Sequence, residues 1–301
     1  MLMWFNNKLI DEKDFSIHPL SHSLHYGDAA FEGLRAYNLG NKKTGIFRIR
    51  EHANRLVYSS SVLMGKKVLT VEEVEKGIIE TIRGNKISEA YIRPIFFLGN
   101  GTIGINNLDK NQRFFAVMAL PFPPFLDKNK AIRVLISSYR KTPSICQPAN
   151  AKISANYVNS ILASREARIS GYDEALLLNI HNRIAEGPGE NIFIVKNEKL
   201  FTPPLDEDLL EGITRDSIIK LAEHMGIEVI EKPISIAELL NADEAFFTGT
   251  AAEVVGIGEV SGYKIGDGNI GGITKKLQSL YEKATKGKIK AFRHWVKEVK
   301  L

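Results

Sequence analysis

Apolar residues recur with a helical period in several stretches of the chain, and the clearest stretch follows Thr70. Thr70 and Glu73 have the capping-box spacing that marks the start of many helices. Gly84 is the expected end of this helix. The apolar positions between them, three or four residues apart, predict one buried helix face: Val71, Val74, Ile78 and Ile82. The same period predicts further helices at residues 50–58, at about 155–169, and from about 210 to 226.

Short runs of bulky apolar residues predict strands between these helices. These runs are residues 45–49, 91–98, 114–120, 132–137, 174–179, 192–195 and 244–247. Arg93 is unusual inside such a run of bulky residues.

A proline-rich segment at residues 121–127 is the best candidate for a domain boundary. Three of its first four residues are proline, which excludes a helix or a central strand and predicts a stiff connector. A chain of 301 residues is also long enough for two domains. We expect an N-terminal domain at 1–122, an interdomain loop at 123–131 and a C-terminal domain at 132–301.

Composition narrows the class of protein. With 44% hydrophobic and 25% charged residues, the chain is typical of a globular protein. The single cysteine excludes an internal disulfide framework and a cysteine-based zinc site, and it fits a reducing compartment. We see neither a signal peptide nor an apolar run long enough to span a bilayer, so the expected location is the cytoplasm.

The net charge of +5 is spread over both signs along most of the chain, which argues against a nucleic-acid-binding stripe. The basic segment at residues 283–300 is interpreted as an exposed terminal helix with one docked aromatic residue, Trp295. RNA contact is the alternative interpretation of this segment.

Two motifs that suggest ligands are rejected at the sequence level. His18, His22 and His25 have spacings that suit a metal, but Pro19 interrupts a continuous helix and no carboxylate or thiol cluster completes the ligand set, so we expect no metal. The glycines of residues 99–104 match the dinucleotide fingerprint, but a turn-rich loop follows them where a helix is required.

Lys152 is the strongest candidate for chemistry because small and apolar residues surround it just before a predicted helix. An environment that disfavours its charge makes a lysine amine a nucleophile and a base, and suits Schiff-base formation. The alternative is a lysine that extends its ammonium group into solvent. Glu186, beside a Gly-Pro-Gly turn, is either an ordinary turn carboxylate or a buried acid that needs a cation.

Two segments resemble phosphate-binding sites, each weakly on its own. Thr214, with Gly212 beside it, is a natural helix N-cap, and a helix start of this kind binds anions. Residues 248–253 repeat this combination of hydroxyl groups and small residues. A lysine amine, a phosphate site that includes Arg55, and a buried acid together suit pyridoxal phosphate.

The chain resembles branched-chain amino acid aminotransferases through a series of motifs in order. These are HYGDAAFEGLRAY, FRIREHANRL, AYIRP, AKISANY, EGPGENIF, EGITRD and TGTAAE, and the likeness covers about residues 15–285. The resemblance implies an α+β chain of fold type IV, with a small N-terminal α/β domain and a larger C-terminal pseudo-barrel α/β domain that binds pyridoxal 5′-phosphate.

The same resemblance implies roles around the cofactor. Lys152 would hold it as a Schiff base and shuttle a proton, Glu186 would pair with the ring nitrogen, and Tyr157 would hydrogen-bond the phenolic oxygen. Arg55 would bind the phosphate. The residues expected to assist Arg55 are Ile213, Thr214 and Thr250.

Substrate and subunit contacts follow from the resemblance too. Arg93 would bind the distal carboxylate of glutamate. The expected α-carboxylate site comprises Tyr91, Thr250 and Ala251, and the expected apolar pocket comprises Phe31, Phe122 and Phe125. The residues expected to reach the partner subunit's site in a homodimer are Tyr26, Ile103 and Ile105; a higher oligomer such as a hexamer is left open.

The implied reaction moves the amino group of L-leucine, L-isoleucine or L-valine to 2-oxoglutarate. Relatives of the same fold provide two alternatives, a D-amino acid aminotransferase and an aminodeoxychorismate lyase. Phe122 and Phe125 stand where family members often carry tryptophan and tyrosine, and Pro188 replaces a commoner small residue. Tyr91-Ile-Arg93 favours the branched-chain reaction, because an arginine there can accept glutamate.

Overall fold

The computed structural model describes residues 1–106, 108–121 and 127–301. Contacts divide the chain into two units. The first unit comprises Met1–Pro123, Ala151–Ala155 and Ala284–Leu301, and the second comprises Pro124–Asn150 and Asn156–Lys283. The segment that contains Lys152 therefore groups with the N-terminal part of the chain, and so does the C-terminus. The boundaries expected at 122 and 132 stay a prediction.

The first unit is built on an antiparallel sheet whose eight described strands have the order β17-β5-β4-β6-β7-β1-β2, with β3 paired to β6. The strands are β1 Leu2–Phe5, β2 Lys8–Asp11, β3 Ala30–Phe31, β4 Leu34–Gly40, β5 Lys43–Phe47, β6 Ala90–Leu98, β7 Arg113–Leu120 and β17 Val296–Lys300. The long pair β6–β7 runs from Tyr91 opposite Leu120 to Leu98 opposite Arg113. Tyr91 and Arg93 therefore lie on a central strand of the sheet.

The helices of the first unit are α1 His22–Tyr26, α2 Ile49–Met64 and α3 Val71–Asn85. The two long helices, α2 and α3, bury their apolar faces in the core of the unit. The capping box of Thr70 and Glu73 is present, and Val74, Ile78 and Ile82 are fully buried, so the predicted helix is confirmed. It continues past Gly84 to Asn85.

The second unit has a mixed sheet whose nine described strands have the order β10-β9-β8-β15-β14-β11-β12-β13, with β16 paired to β15. The strands are β8 Ile132–Arg140, β9 Glu174–Leu178, β10 Ile184–Glu186, β11 Asn191–Lys196, β12 Lys199–Thr202, β13 Val229–Glu231, β14 Glu244–Gly249, β15 Glu253–Val260 and β16 Tyr263–Lys264. β8 pairs in parallel with both β9 and β15.

The helices that accompany this sheet are α4 Tyr157–Ile169, α5 Ile213–His224, α6 Ile236–Leu240 and α7 Gly272–Thr285. Phe193 on β11 lies opposite Phe246 on β14, and their rings stack with centroids 5.2 Å apart. Both sheets carry helices, so the predicted α+β class is confirmed. Within the described residues, no helix has the length and apolar character that crossing a membrane requires.

The interpretation of the C-terminus as an exposed helix is wrong. After α7 the chain forms a short 3-10 helix, Lys290–Trp295, and then β17, which pairs with β5. Trp295 is buried against Phe292 and below the guanidinium of Arg48. Pairing with an open sheet edge and burial of Trp295 and Val299 outweigh the polar character of the segment.

Candidate active site

Lys152 is held by backbone hydrogen bonds to two elements of the first unit. Its N–H donates to the hydroxyl of Ser59 on α2 at 2.9 Å, and its carbonyl oxygen accepts from the N–H of Phe31 at 3.2 Å. The next residue, Ile153, forms an isolated antiparallel bridge with Ala30. These bonds explain why residues 151–155 pack with the first unit, and they fix the point from which the lysine side chain starts.

The surroundings of Lys152 disfavour its positive charge. Burial and the nearby guanidinium of Arg55 lower the pKa of Lys152 from 10.5 to about 8, although the carboxylate of Glu32 opposes this shift. Its Nζ lies 5.0 Å from the centre of the Phe31 ring. An amine with this pKa is neutral in an appreciable fraction of molecules near neutral pH, as a nucleophile or base must be.

Arg55, expected to bind phosphate, lies on α2 and is bound by a carboxylate that the sequence interpretation did not single out. Its Nε donates to Glu32 Oε1 at 2.5 Å and its Nη2 donates to Glu32 Oε2 at 3.0 Å. His52 Nδ1 lies 2.7 Å from Glu32 Oε2. The Glu32 side chain is buried, and Arg55 and His52 outweigh that burial and hold the pKa of Glu32 far below its usual range.

Tyr91, Arg93 and Phe31 form a second cluster in the first unit. Arg93 Nη2 donates to the Tyr91 hydroxyl at 2.8 Å, and its guanidinium carbon lies 4.7 Å from the centre of the Phe31 ring. Gly33 allows this arrangement, because a Cβ there would lie 2.0 Å from the Tyr91 hydroxyl oxygen. Among the residues that the structure describes, none is a hydrogen-bond partner of the buried Nε of Arg93. The unsatisfied donor fits a residue whose partner is a ligand.

Tyr26 and the 103–105 loop come together within the first unit. The Tyr26 hydroxyl accepts from the Gly104 N–H at 3.1 Å. Ile103 and Ile105, on either side of that glycine, are 77% and 75% exposed. His22 contributes to the same region, because its two ring nitrogens contact Asp28 and the Gly104 carbonyl oxygen. A hydrogen-bonded loop thus presents two large apolar side chains to solvent.

Glu186, in the second unit, is the buried acid that the sequence suggested, and the cation it needs is Lys141. Lys141 Nζ lies 2.6 Å from Glu186 Oε1. Glu186 Oε2 accepts from the Asn191 side-chain amide and from the Leu210 N–H, both at 3.1 Å. Three donors therefore contact the two oxygens of this buried carboxylate.

Lys141 is buried as well, and its pKa moves opposite to that of Lys152. Burial works against its charge, but the Glu186 carboxylate, with smaller contributions from Tyr157 and Asp208, outweighs burial and raises the pKa of Lys141. Lys141 therefore stays protonated beside Glu186. Tyr157, expected to bind the phenolic oxygen, is the first residue of α4.

The prediction that Thr214 caps α5 is wrong in its details. The N-cap is Gly212 in an extended conformation, Ile213 is the first helical residue, and Thr214 lies inside the first turn. Glycine is required at 212 because a Cβ there would lie 1.9 Å from the Asn191 side-chain oxygen. Ile213 and Thr214 do lie at a helix start, and their part in phosphate binding stays a prediction. Thr250 and Ala251 lie in the turn between β14 and β15.

Phe122 and Phe125 lie outside the described residues, so their place in an apolar pocket stays a prediction. The three histidines near the N-terminus make separate contacts: His18 Nδ1 accepts from the Leu20 N–H, and His25 Nε2 contacts the Pro19 carbonyl oxygen. Among residues 1–106, 108–121 and 127–301, no group of three or more His, Cys, Asp or Glu side chains is placed to hold a metal ion.

Four of the residues that the sequence interpretation missed contact predicted residues: Glu32, Ser59, Lys141 and Asn191. A fifth, His52, contacts Glu32. Glu32 had a usable signal, because it is a carboxylate directly after the apolar run Ala29–Phe31. Lys141 had no such signal, since its partner Glu186 is 45 positions away in the sequence (186 − 141).

Comparisons with known proteins agree on one family. The family model of amino-transferase class IV matches residues 29–260. The putative branched-chain-amino-acid aminotransferase of Methanocaldococcus jannaschii is 41% identical over 94% of this chain and 96% of its own length. The crystal structure of the branched-chain aminotransferase from Thermoproteus uzoniensis with norvaline has a TM-score of 0.93 and 39% identity, and covers 99% of both chains.

A second solved structure is similar over the whole chain. The branched-chain amino acid aminotransferase from Thermobaculum terrenum in its PLP-form, the holo-form, has a TM-score of 0.94 and 32% identity. The matched lengths are 100% of this chain and 98% of that one.

Proposed function

Because the chain belongs to the amino-transferase class IV family, we propose that Lys152, Arg55 and Glu186 are the residues that hold and use its cofactor. The chain has fold type IV and uses pyridoxal 5′-phosphate. It transfers the amino group of L-leucine, L-isoleucine or L-valine to 2-oxoglutarate, giving branched-chain 2-oxo acids and L-glutamate. The bound cofactor supplies an aldehyde and an electron-withdrawing ring.

The residues of the first unit fit this cofactor. An aldehyde requires an amine that is partly neutral, and Lys152 has a pKa of about 8. A phosphate requires a fixed cation with several donors, and Arg55 is held by Glu32 through two of its five N–H groups. Amine and guanidinium are both present in one packed unit.

The residues of the second unit fit the other polar atoms of the cofactor. Glu186 is bound by Lys141, Asn191 and the Leu210 N–H, and its carboxylate would pair with a protonated ring nitrogen. The first-turn N–H groups of α5 suit a phosphate at Ile213 and Thr214. Thr250 would add a hydroxyl donor, and the Tyr157 hydroxyl would bind the phenolic oxygen.

The proposed chemical role of Lys152 is to move one proton. Its amine takes the proton from the Cα of the amino acid and returns it at the C4′ position of the cofactor. A pKa of about 8 suits a group that must both accept and release a proton near neutral pH. Glu186 acts by holding the positive charge of the ring nitrogen, which makes the loss of the Cα proton easier.

Substrate recognition is assigned to the cluster around Arg93. Its guanidinium would bind the distal carboxylate of glutamate, and the unsatisfied Nε and the bond to the Tyr91 hydroxyl support this role. The α-carboxylate would bind at Tyr91, Thr250 and Ala251. Phe31 would form one wall of the apolar pocket, together with Phe122 and Phe125.

We propose that the protein is a homodimer in the cytoplasm. Tyr26, Ile103 and Ile105 support the dimer, because a hydrogen-bonded loop that exposes two isoleucines is typical of an interface. Replacement of both isoleucines by aspartate should convert the dimer to a monomer in sedimentation equilibrium. Aspartate at the exposed positions Lys42 and Lys86 is the control; an unchanged mass for the isoleucine variant would contradict the assignment.

The lowered pKa of Lys152 is the observation that carries the catalytic proposal, and borohydride trapping tests it. Lys152→Ala should lose the trapped cofactor adduct, and turnover should fall at least about 10²–10⁴-fold, the range for loss of a general acid–base group. The exposed Lys130 provides the matched control, and Lys130→Ala should keep both the trapped adduct and normal turnover. A trapped adduct that persists in Lys152→Ala would assign the Schiff base to another lysine.

A further inference from the structure

The carboxylate of Glu32 is completely enclosed, and its described hydrogen-bond partners lie in the first unit. Glu32 is 0% exposed and follows the short strand β3. Its partners Arg55 and His52 are three residues apart on α2, so they lie on the same face of that helix. A buried carboxylate is costly unless it is paired, and this one is paired on both oxygens.

The way in which Glu32 binds Arg55 fixes the direction of the guanidinium group. Glu32 Oε1 accepts from Nε and Oε2 accepts from Nη2, so the carboxylate occupies one edge of the planar group. Two parallel bonds on one edge determine both the plane and the direction of the remaining N–H groups. An arginine that is already oriented loses less conformational entropy when it binds an anion.

His52 holds the carboxylate from its other side. Burial and the nearby Arg55 lower the pKa of His52 despite the opposing charge of Glu32, so the ring is neutral near pH 7. An ionised carboxylate accepts hydrogen bonds and donates none, so Nδ1 must carry the proton in the 2.7 Å contact. The neutral ring fixes Glu32 without adding a second positive charge beside Arg55.

We propose that Glu32 is a positioning residue for cofactor binding, which holds the guanidinium of Arg55 in the orientation that binds the cofactor phosphate. The inference rests on the proposed function, in which Arg55 contacts that phosphate. Charge alone predicts the opposite effect, since a carboxylate near a phosphate repels it. Removal of Glu32 therefore weakens phosphate binding if orientation matters and strengthens it if charge alone matters.

The test separates the phosphate from the rest of the cofactor. The full-length chain, stripped of cofactor, is titrated with pyridoxal phosphate and with pyridoxal, which lacks the phosphate, and absorbance gives both dissociation constants. The dissociation constant of pyridoxal divided by that of pyridoxal phosphate measures how much the phosphate contributes to binding. We expect Glu32→Gln to reduce this ratio about tenfold, the size expected for loss of charge-assisted hydrogen bonds.

Glu32→Asp is the second variant. It provides a second measurement in case Glu32→Gln misfolds, and it separates loss of orientation from loss of charge. It keeps the negative charge but is one methylene shorter, so it should reduce the ratio as Glu32→Gln does if orientation is the cause. The matched control is Glu72→Gln, because Glu72 pairs with Arg50 at the surface. This control should leave the ratio unchanged.

A double variant shows whether Glu32 acts through Arg55. Arg55→Lys keeps a cation but lacks the planar fork that Glu32 orients. In the Arg55→Lys background, Glu32→Gln should have no further effect on the ratio. Additive losses would overturn the inference.

Two further outcomes would also overturn the inference, and a third separates it from the proposed function. If both Glu32 variants leave the ratio unchanged or raise it, orientation is not the role of Glu32. If they weaken both ligands equally, Glu32 supports the fold alone. If Arg55→Met, which removes the charge, leaves the ratio unchanged, Arg55 does not bind the phosphate, and the proposed function fails at that residue.

Discussion

Lys152 in the first unit and Lys141 in the second have opposite pKa shifts, although burial disfavours the charge on both. At Lys152, burial and the charge of Arg55 outweigh Glu32, and the pKa falls to about 8. At Lys141, the carboxylate of Glu186 outweighs burial, and the pKa rises. The first lysine is suited to act as a nucleophile and the second to act as a fixed cation.

The two pKa shifts differ because the carboxylates of Glu32 and Glu186 contact different groups. Both oxygens of Glu32 are bonded to Arg55 and His52. The effect of Glu32 on the pKa of Lys152 is smaller than the opposing effects of burial and Arg55. Glu186 places one oxygen 2.6 Å from Lys141. A lysine becomes a reactive amine when burial and other cations dominate its surroundings, and a structural charge when a carboxylate contacts it directly.

The largest effect on stability is expected from the same substitution at the two lysines of the cofactor-free chain. Lys141→Met leaves Glu186 buried without its cation and should lower the free energy of unfolding by about 3–5 kcal/mol, the cost of breaking a buried ion pair. Lys152→Met removes a disfavoured charge and should leave stability equal or higher. Urea unfolding at pH 7 measures both changes, and equal losses would refute the contrast.

The pH dependence of stability should separate the lysines next. The folded pKa of Lys152 is about 8 and its ordinary value is 10.5, so the unfolded chain binds more protons between these values. The free energy of unfolding of the cofactor-free chain should therefore gain up to about 3 kcal/mol from this group as pH rises from 8 to 10.5.

Lys141 should act in the opposite sense and in a different pH window. Its folded pKa is raised above 10.5, so its stabilising contribution is complete below that pH and is lost as pH rises further.

The contribution of Lys152 is measured separately, as the urea midpoint of the parent chain minus that of Lys152→Met at each pH. A difference that stays constant from pH 8 to 10.5 would contradict the lowered pKa.

A smaller and more selective effect is expected at Arg93, whose charge also lowers the pKa of Lys152. Arg93→Met should reduce kcat/KM for L-glutamate about 10- to 100-fold through the loss of charge-assisted hydrogen bonds, and that for L-leucine much less. The exposed Arg83→Met is the control. Single-turnover absorbance changes with each amino acid measure the two half-reactions. Equal losses for both substrates would remove Arg93 from carboxylate recognition.

Local patterns predicted the elements whose ends and buried faces are encoded in neighbouring residues. The helix after Thr70 is an example, because its capping box and its apolar stripe lie within 13 positions (82 − 70 + 1) of one another. The C-terminal segment was mistaken for a helix because its pairing partner, β5, lies about 250 positions earlier in the sequence. Thr214 was mistaken for an N-cap because the contact with Asn191 that requires Gly212 is invisible locally.

The sequence by itself determined the α+β composition, the family motifs and the candidate residues Lys152, Arg55 and Glu186, since these follow from residue types and local order. Tertiary structure decided which carboxylate each cation meets. Glu32 is bound to Arg55 and His52, and Glu186 is bound to Lys141. The physical reason is that pKa shifts arise from burial and from charges a few ångströms away, and the chain brings those charges together from distant positions.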